Sequence, residues 1–115
     1  MSYILYEKNQ STVSEKVIVL FQEQGVHFSV VKTQSLKLNN DQVQDLLDML
    51  GLWAIDLVEK SHPLWIDGCL NEESDDREIV DFITHNPSVL RDAIVVKDGR
   101  QAIIADPPEN VFSLF

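Results

Sequence analysis

The fold is decided near the N-terminus by residues 3–24, YILYEKNQSTVSEKVIVLFQEQ. The first four residues are apolar or aromatic and are followed by the polar run 7–10, which is the pattern of a buried strand followed by a loop. Thr12 and Glu15 then have the spacing of a capping box, and apolar residues recur at helical intervals until Gly25. This stretch therefore predicts a strand, a loop and a helix in that order.

Outward from this stretch, strand and helix patterns continue along the chain. Residues 27–31 alternate between polar and apolar types through Phe28 and Val30 and contain β-branched side chains, which predicts a second strand. Apolar residues at helical spacing, with capping and terminating residues around them, then mark a helical middle segment. The predicted helices run from about Asn40 to Gly51, over residues 52–60, and from a cap at Ser74 or Asp75 to Asn86-Pro87.

A hairpin pattern closes the chain. Two apolar runs, 93–96 and 101–105, flank Asp98-Gly99, which is a strong signal for an antiparallel turn. Asp106 is predicted to cap a last helix with Pro107 at its first position. The order βαβ, helices, ββα predicts an α/β, thioredoxin-like fold, in which a mixed four-stranded sheet carries a helical insert at about residues 39–88.

Length and charge limit the classes of protein to be considered. The 115 residues, 44% of them hydrophobic, suit one domain over 1–115. A formal charge of −10 repels a phosphate backbone, so no direct nucleic-acid binding is expected. No apolar run has the length of a membrane span, and one cysteine cannot form an internal disulfide. We therefore expect a cytoplasmic protein that does not bind membranes.

With this order of elements, the chain resembles the glutaredoxin-dependent arsenate reductases and the Spx-type regulators that share their fold. The resemblance covers nearly the whole chain and is most specific in residues 79–87, IVDFITHNP, and 91–96, RDAIVV, followed by a turn at Gly99. Residues 6–14, YEKNQSTVS, correspond to the family's active-site loop in length and placement. The resemblance implies a thioredoxin-like fold and a chemistry that depends on one cysteine and several arginines.

The nucleophile of that chemistry is missing. The resemblance places the family's cysteine at Ser11, in a loop that also contains Ser14. A serine hydroxyl has no comparable ionised population at neutral pH and needs a general base, and no histidine lies near it in the sequence. Ser11 or Thr12 is therefore expected to cap the first helix instead.

The oxyanion-binding arginines and a proline are also replaced. The resemblance places two of these arginines at Glu59 and Asp92, where carboxylates repel an anion. Arg91 and Arg100 are the remaining guanidinium groups that can restore the site if they lie close to Ser11. Ala93 stands where the family has a proline before its third strand, and a trans peptide is predicted there because a cis bond before alanine costs about 2.5 to 4 kcal/mol.

The cysteine and the three histidines are the other side chains that can carry chemistry. Cys69 is the only thiol, and its acidic neighbours do not favour a thiolate, but it is the candidate nucleophile if the protein is a reductase. The three histidines have no metal-ligand spacing, so no metal or cofactor is expected and structural roles are favoured. A histidine that acts as the base for Ser11 is the alternative. The histidines are His27, His62 and His85.

The middle of the chain contains two tryptophans and a dense group of acids. Trp53 and Trp65 are expected to pack in the core. If either is exposed, it forms a partner-binding surface with the neighbouring acids. Otherwise the acids are expected to be a solvated helix start, and a dimerising role for this segment is a further alternative. The acids are Glu72, Glu73, Asp75 and Asp76.

The joint loss of the cysteine, the arginines and the proline predicts a non-catalytic, Spx-like protein that binds a protein partner in a regulatory role. The alternative is an oxidoreductase linked to glutathione or glutaredoxin, acting on arsenate or a thiol through Cys69 or a partner's cysteine.

Overall fold

The computed structural model describes residues 2–8 and 11–115, with only the backbone of Gln34 included. The chain forms two compact units, residues 1–35 with 92–115, and residues 36–91. The predicted helical insert at about 39–88 falls within the second unit, while a single domain over 1–115 stays a prediction. Residues Asn9 and Gln10 of the predicted active-site loop lie outside the described residues.

The first unit, here the sheet unit, contains a mixed four-stranded sheet in the order β2-β1-β3-β4. β1 pairs in parallel with β2 and antiparallel with β3, which pairs antiparallel with β4. The predicted thioredoxin-like α/β fold class is therefore confirmed. Its elements are β1 (Ser2–Glu7), α1 (Thr12–Gln24), β2 (His27–Lys32), a 3-10 turn (Thr33–Ser35), β3 (Ile94–Lys97), β4 (Gln101–Ile104) and a 3-10 helix (Pro108–Leu114).

The ends of α1 are set by single residues. Ser11 is the N-cap, and its hydroxyl oxygen accepts a hydrogen bond from the backbone N–H of Ser14. The predicted capping box of Thr12 and Glu15 is wrong by one position, because Thr12 is already helical. Gly25 ends the helix at a φ of +66°, a left-handed conformation that costs glycine little.

The core of the sheet unit lies between α1, the sheet and the C-terminal segment. Phe21 is fully buried, and its ring lies 5.3 Å from that of Tyr3 and 5.2 Å from that of Phe28. Buried residues of all three parts form one cluster, which attaches α1 to the sheet. The cluster contains Tyr3, Leu5, Val17, Phe21, Ala93, Val95, Ala105, Val111 and Leu114.

The C-terminal helix differs from the prediction. It is a 3-10 helix that begins at Pro108, without a side-chain cap, so Asp106 does not cap it and Pro107 is not its first residue. The physical reason is the Pro107-Pro108 pair, because a residue before proline is driven out of the helical region. Pro107 accordingly has an extended backbone, with ψ at 157°.

The second unit, here the helical unit, contains α-helices of four to eleven residues. Asn39 and Gln42 form a capping box, and Asp75 caps the last helix, which ends at Asn86 as predicted. The predicted helix over 52–60 is reduced to one turn, since Val58 leaves it to bridge Leu90. The helices are α2 (Asn40–Leu50), α3 (Ala54–Leu57), α4 (Pro63–Asp67), which was not predicted, and α5 (Asp76–His85).

Hydropathy along the helices was compared with the requirement for a membrane span. Within residues 2–8 and 11–115, no helix combines the length and the apolar character needed to cross a bilayer. α1, with 13 residues, carries charged side chains such as Glu15, Lys16 and Glu23. Its apolar face is used instead for the core of the sheet unit.

Truncation of the central core ring tests this packing. Phe21→Ala is expected to lower the free energy of unfolding by about 3 to 5 kcal/mol, because it removes a fully buried ring and leaves a cavity within the core cluster. Val19→Ala, on the exposed side of the same helix, is the control and is expected to change it by about 0.5 kcal/mol or less. Urea unfolding measures both, and equal losses would contradict the assignment of the core.

Candidate functional site

The candidate site is a hydroxyl and carboxylate cluster at the start of α1. Asp92, just before β3, accepts a hydrogen bond from the backbone N–H of Lys8 at 3.0 Å. Its other carboxylate oxygen accepts one from the Ser11 hydroxyl, and the Ser14 hydroxyl lies 3.4 Å from the first oxygen. The structure therefore brings together three of the predicted site residues, Ser11, Ser14 and Asp92.

Both hydrogen-bonding functions of Ser11 are used within this cluster. Its oxygen accepts from the N–H of Ser14 at 3.0 Å, and its proton is donated to Asp92. Ser14 is fully buried behind it. Since Asp92 contacts both hydroxyls, it holds the start of α1 against the start of β3.

The electrostatics of the cluster oppose a second anion. A carboxylate near the N-terminus of a helix is favourable because it faces the positive end of the helix dipole. Two unit negative charges 4 Å apart repel by about 4 kcal/mol at an effective dielectric constant of 20. An arsenate ion that approaches Ser11 thus meets the charge of Asp92 in the position where the resemblance implies an arginine.

Lys8 is a member of the site that the sequence analysis did not single out. Its ammonium nitrogen has less than 1 Å² of exposed surface. Burial lowers the pKa of Lys8 below its usual value of 10.5, and the nearby charge of Asp92 opposes part of this shift. The only signal in the sequence is its place directly after a buried strand.

Ala93 has the predicted trans peptide but an unpredicted backbone conformation. The Asp92–Ala93 bond is trans, as the absence of proline requires. Ala93 is fully buried and has a φ of +61°, in the left-handed region that costs a non-glycine residue about 1 kcal/mol. The N–H of Ala105 donates to its carbonyl at 2.8 Å and helps to hold this turn.

Arg100 does not replace the oxyanion-binding arginines that the resemblance implies near Ser11. It lies exposed in the β3–β4 turn, where the N–H of Asp98 donates to the carbonyl of Ser2. This turn is next to the first residue of β1, whereas Ser11 follows the last, and a strand of this length spans about 17 Å. A guanidinium in that turn is at the opposite end of the sheet from Ser11.

The described contacts of the other candidate groups lie within the helical unit. The Arg91 guanidinium lies 3.5 Å from the carbonyl of Asp56, and its N–H donates to the carbonyl of Leu57. Glu59, at the second replaced arginine position, donates its N–H to the carbonyl of Val89. These contacts attach the segment before β3 to α3.

The histidines form no described catalytic pair with Ser11. His27 pairs with Ser2 at the start of β2, which is the end of the sheet away from Ser11. His62 caps α4 by accepting from the N–H of Leu64, and His85 contacts Asp81. No group of three possible metal ligands occurs within the described ranges 2–8 and 11–115.

Cys69 is an exposed, free thiol in the segment that follows α4. The adjacent Gly68 is closely packed, since a side-chain carbon there would lie 3.3 Å from the ring of Phe82. The thiol of Cys69 is therefore open to solvent beside a closely packed glycine.

The two tryptophans differ in their exposure to solvent. Trp65 is buried against Phe82, with ring centroids 5.7 Å apart, so the core prediction is confirmed for Trp65 and excludes it from any partner surface. For Trp53 the prediction is wrong, because 72% of it is exposed. It occupies the N-cap of α3, where its backbone N–H donates to Asp56 and its ring extends away from the core.

The acids near α5 are partly structural. Asp75 caps α5 by accepting from the N–H of Arg77, and Asp76 accepts from the N–H of Ala54 at 2.8 Å. Glu72 pairs with Lys60 at 3.1 Å on the surface, and Glu73 is exposed. The predicted solvated helix start therefore also links α3 to α5.

Removal of the Asp92 carboxylate tests its structural role. Asp92→Ala is expected to lower the free energy of unfolding by about 1 to 3 kcal/mol, because it leaves the Lys8 N–H and two hydroxyls without their acceptor. Glu23→Ala, an exposed acid on α1, is the control and is expected to change it by about 0.5 kcal/mol or less. Urea unfolding that gave the same loss for both would contradict the cluster.

The lowered pKa of Lys8 has a consequence for stability at high pH. In the pH range between its folded pKa and 10.5, the unfolded chain binds more protons than the folded one, so stability rises with pH. The wild-type protein is expected to gain stability relative to Lys8→Arg, which stays charged, as pH increases toward 10.5. Urea unfolding at several pH values measures this gain, and parallel pH profiles would contradict the burial of the ammonium group.

Comparison with solved structures finds the same fold in several bacterial proteins. An arsenate reductase from Vibrio cholerae superimposes with a TM-score of 0.89 at 23% identity, covering 100% of this chain and 98% of that one. A provisionally named arsenate reductase from Yersinia pestis gives 0.82 at 24% identity, over 96% and 98%. A provisionally named ArsC family related protein from Bacteroides fragilis gives 0.84 at 13%, over the full length of both chains.

Comparisons with protein-family models and with curated protein sequences find no match. The structural superpositions show that the fold is shared. Because the sequence identities are below 25%, the function has to be argued from the residues of the site. The chain has the thioredoxin-like fold in the form found in arsenate reductases.

Proposed function

We propose that this protein is a non-catalytic relative of the arsenate reductases, a pseudoenzyme that acts in the cytoplasm by binding another protein. The observation that carries the proposal is the carboxylate of Asp92, which accepts hydrogen bonds from the Ser11 hydroxyl and the Lys8 N–H. It occupies the start of α1, where the reductases named above would need to admit an anionic substrate. The protein thus carries its own anion at this position.

The chemistry of the cluster supports a structural role for Ser11. A hydroxyl that donates to a carboxylate is not ionised, and a carboxylate is a weaker base than the imidazole that activates serine in hydrolases. No cysteine is present in the loop to form a bond with arsenic, since Cys69 is the only thiol of the chain. Neither oxyanion binding nor thiol attack is favoured at the start of α1.

A binding role is supported by the surface that the fold leaves exposed. Trp53 is largely exposed beside acids, and exposed aromatic side chains are frequent in protein interfaces. Spx-type regulators have a similar fold and are a model for such a regulatory role, by fold analogy alone.

The competing function is an oxidoreductase that uses glutathione or glutaredoxin. The observation that favours it is the exposed thiol of Cys69. In that case Cys69, or a cysteine of a partner protein, supplies the nucleophile in place of Ser11.

A coupled assay with arsenate, glutathione and glutaredoxin separates the two functions. We expect the purified protein to give no turnover above the protein-free reaction, because the anion position is occupied and the loop has no thiol. The Cys69→Ser variant is the control and is expected to behave identically. Turnover that this substitution abolishes would establish the oxidoreductase and reject the proposal.

Affinity capture from extracts of the protein's own cells tests the binding role directly. We expect the wild-type protein to recover one partner protein in stoichiometric amount. The Asp92→Asn variant is expected to recover the same partner, because the cluster acts structurally. Recovery of no stoichiometric partner would reject the proposal.

A further inference from the structure

A groove in the helical unit combines an exposed aromatic ring with carboxylates. It has a volume of about 410 Å³ and lies between the end of α2, the segment that joins α2 to α3, and the start of α5. Trp53 and the half-buried Leu52 provide its apolar surface, with the buried Leu47 behind them, and Asp48 and Asp76 provide its charge. Beside Gly51 the groove is open, since a side-chain carbon built there meets no atom within 4 Å.

The position of Trp53 is fixed although its ring is exposed. Its backbone N–H donates to the Asp56 carboxylate at 3.3 Å, and its carbonyl accepts from the N–H of Asp56 at 3.0 Å. The next residue, Ala54, is fully buried and donates its N–H to Asp76. An indole side chain has only two side-chain torsions, so it loses little conformational freedom when a ligand covers it.

The charge around the groove selects the sign of the ligand. Residues 36–91 contain twelve acidic and four basic side chains, a formal charge of −8 out of −10 for the whole chain. Asp48 lies in the last turn of α2, where the helix dipole makes a negative charge unfavourable. A cationic ligand beside Asp48 relieves this repulsion, and an anionic one increases it.

Arginine suits this combination better than lysine. A guanidinium group stacks on the face of an indole ring and donates in a planar fork to carboxylates, whereas an ammonium group has no planar surface. Apolar neighbours of that arginine in the ligand match the half-buried Leu52 in the groove.

We propose that this groove binds an arginine-containing segment of a partner protein, with the guanidinium group stacked on Trp53 and facing Asp48 and Asp76. The inference rests on the proposed function and names the surface and the chemistry of the partner. It is independent of the cluster at Ser11.

The two tryptophans allow a direct test by NMR. The probes are three short capped peptides that are identical except for a central pair of arginines, lysines or glutamates, flanked by leucines. The indole N–H signal of Trp53, identified by its loss in Trp53→Ala, is expected to shift on addition of the arginine peptide, and the signal of the buried Trp65 is not. The lysine peptide is expected to bind more weakly, and the glutamate peptide to produce no shift.

Charge reversal distinguishes the groove from general attraction to an acidic protein. Asp48→Lys is expected to weaken binding of the arginine peptide about tenfold or more. Asp45→Lys makes the same charge change about one helical turn away on α2, outside the groove, and is expected to weaken binding clearly less than Asp48→Lys, because it does not face the bound guanidinium group. Both variants are expected to stay folded because both positions are exposed.

A second pair of variants tests the contact between the ligand and the indole ring of Trp53. Trp53→Ala is expected to abolish measurable binding of the arginine peptide, and Ile66→Ala, which truncates another exposed apolar side chain of the helical unit, to leave it unchanged.

Three results would overturn the inference: no Trp53 shift with the arginine peptide at millimolar concentration, equal weakening by Asp48→Lys and Asp45→Lys, or binding that survives Trp53→Ala. None of these would reject the proposed function if cell extracts still yield a stoichiometric partner, because that partner would then use another surface. Arsenate turnover that depends on Cys69 would reject the proposed function without changing the peptide result.

Discussion

The hydrogen bonds of the Asp92 carboxylate connect the three segments on which the site depends. They join the loop after β1, the N-cap of α1 and the segment before β3, where Asp92 lies two residues ahead of the strand. In a thioredoxin-like fold these segments meet because β1 and β3 are neighbours in the sheet. A negatively charged side chain at this junction stabilises the helix start and repels other anions by its charge. The carboxylate of Asp92 thus has a structural effect and an electrostatic effect at the same place.

The residues that form the fold are distinct from the residues of the candidate site. The sheet order and the core around Phe21 need only apolar side chains at the correct spacing, and the fold is shared with reductases at 23% identity. The resemblance to arsenate reductases implies a thiol and guanidinium groups at specified points, and two of those points here carry the capping hydroxyl of Ser11 and the carboxylate of Asp92. The exposed ring of Trp53 is supported by a separate set of backbone contacts, so the two regions can serve different purposes.

Much of the fold could be predicted because its signals are local. Asp98-Gly99 fixed the hairpin, Gly25 and Gly51 fixed helix ends, and the apolar spacing of α2 and α5 fixed their buried faces. The replacement of the nucleophile at Ser11 was also visible. Contacts between distant segments were not, because no sequence pattern specifies that Asp92 reaches Ser11 or that Lys8 is buried there. Trp53 was wrongly assigned to the core because composition cannot distinguish an aromatic cap from a packed ring.

A crystal structure of the protein grown in a high concentration of arsenate would test the central claim most directly, since it would show what occupies the start of α1. We expect the Asp92 carboxylate to accept a hydrogen bond from the Ser11 hydroxyl there, with no arsenate within hydrogen-bonding distance of either group. An arsenate ion bound to Ser11 and held by guanidinium groups, with Asp92 displaced, would contradict the claim.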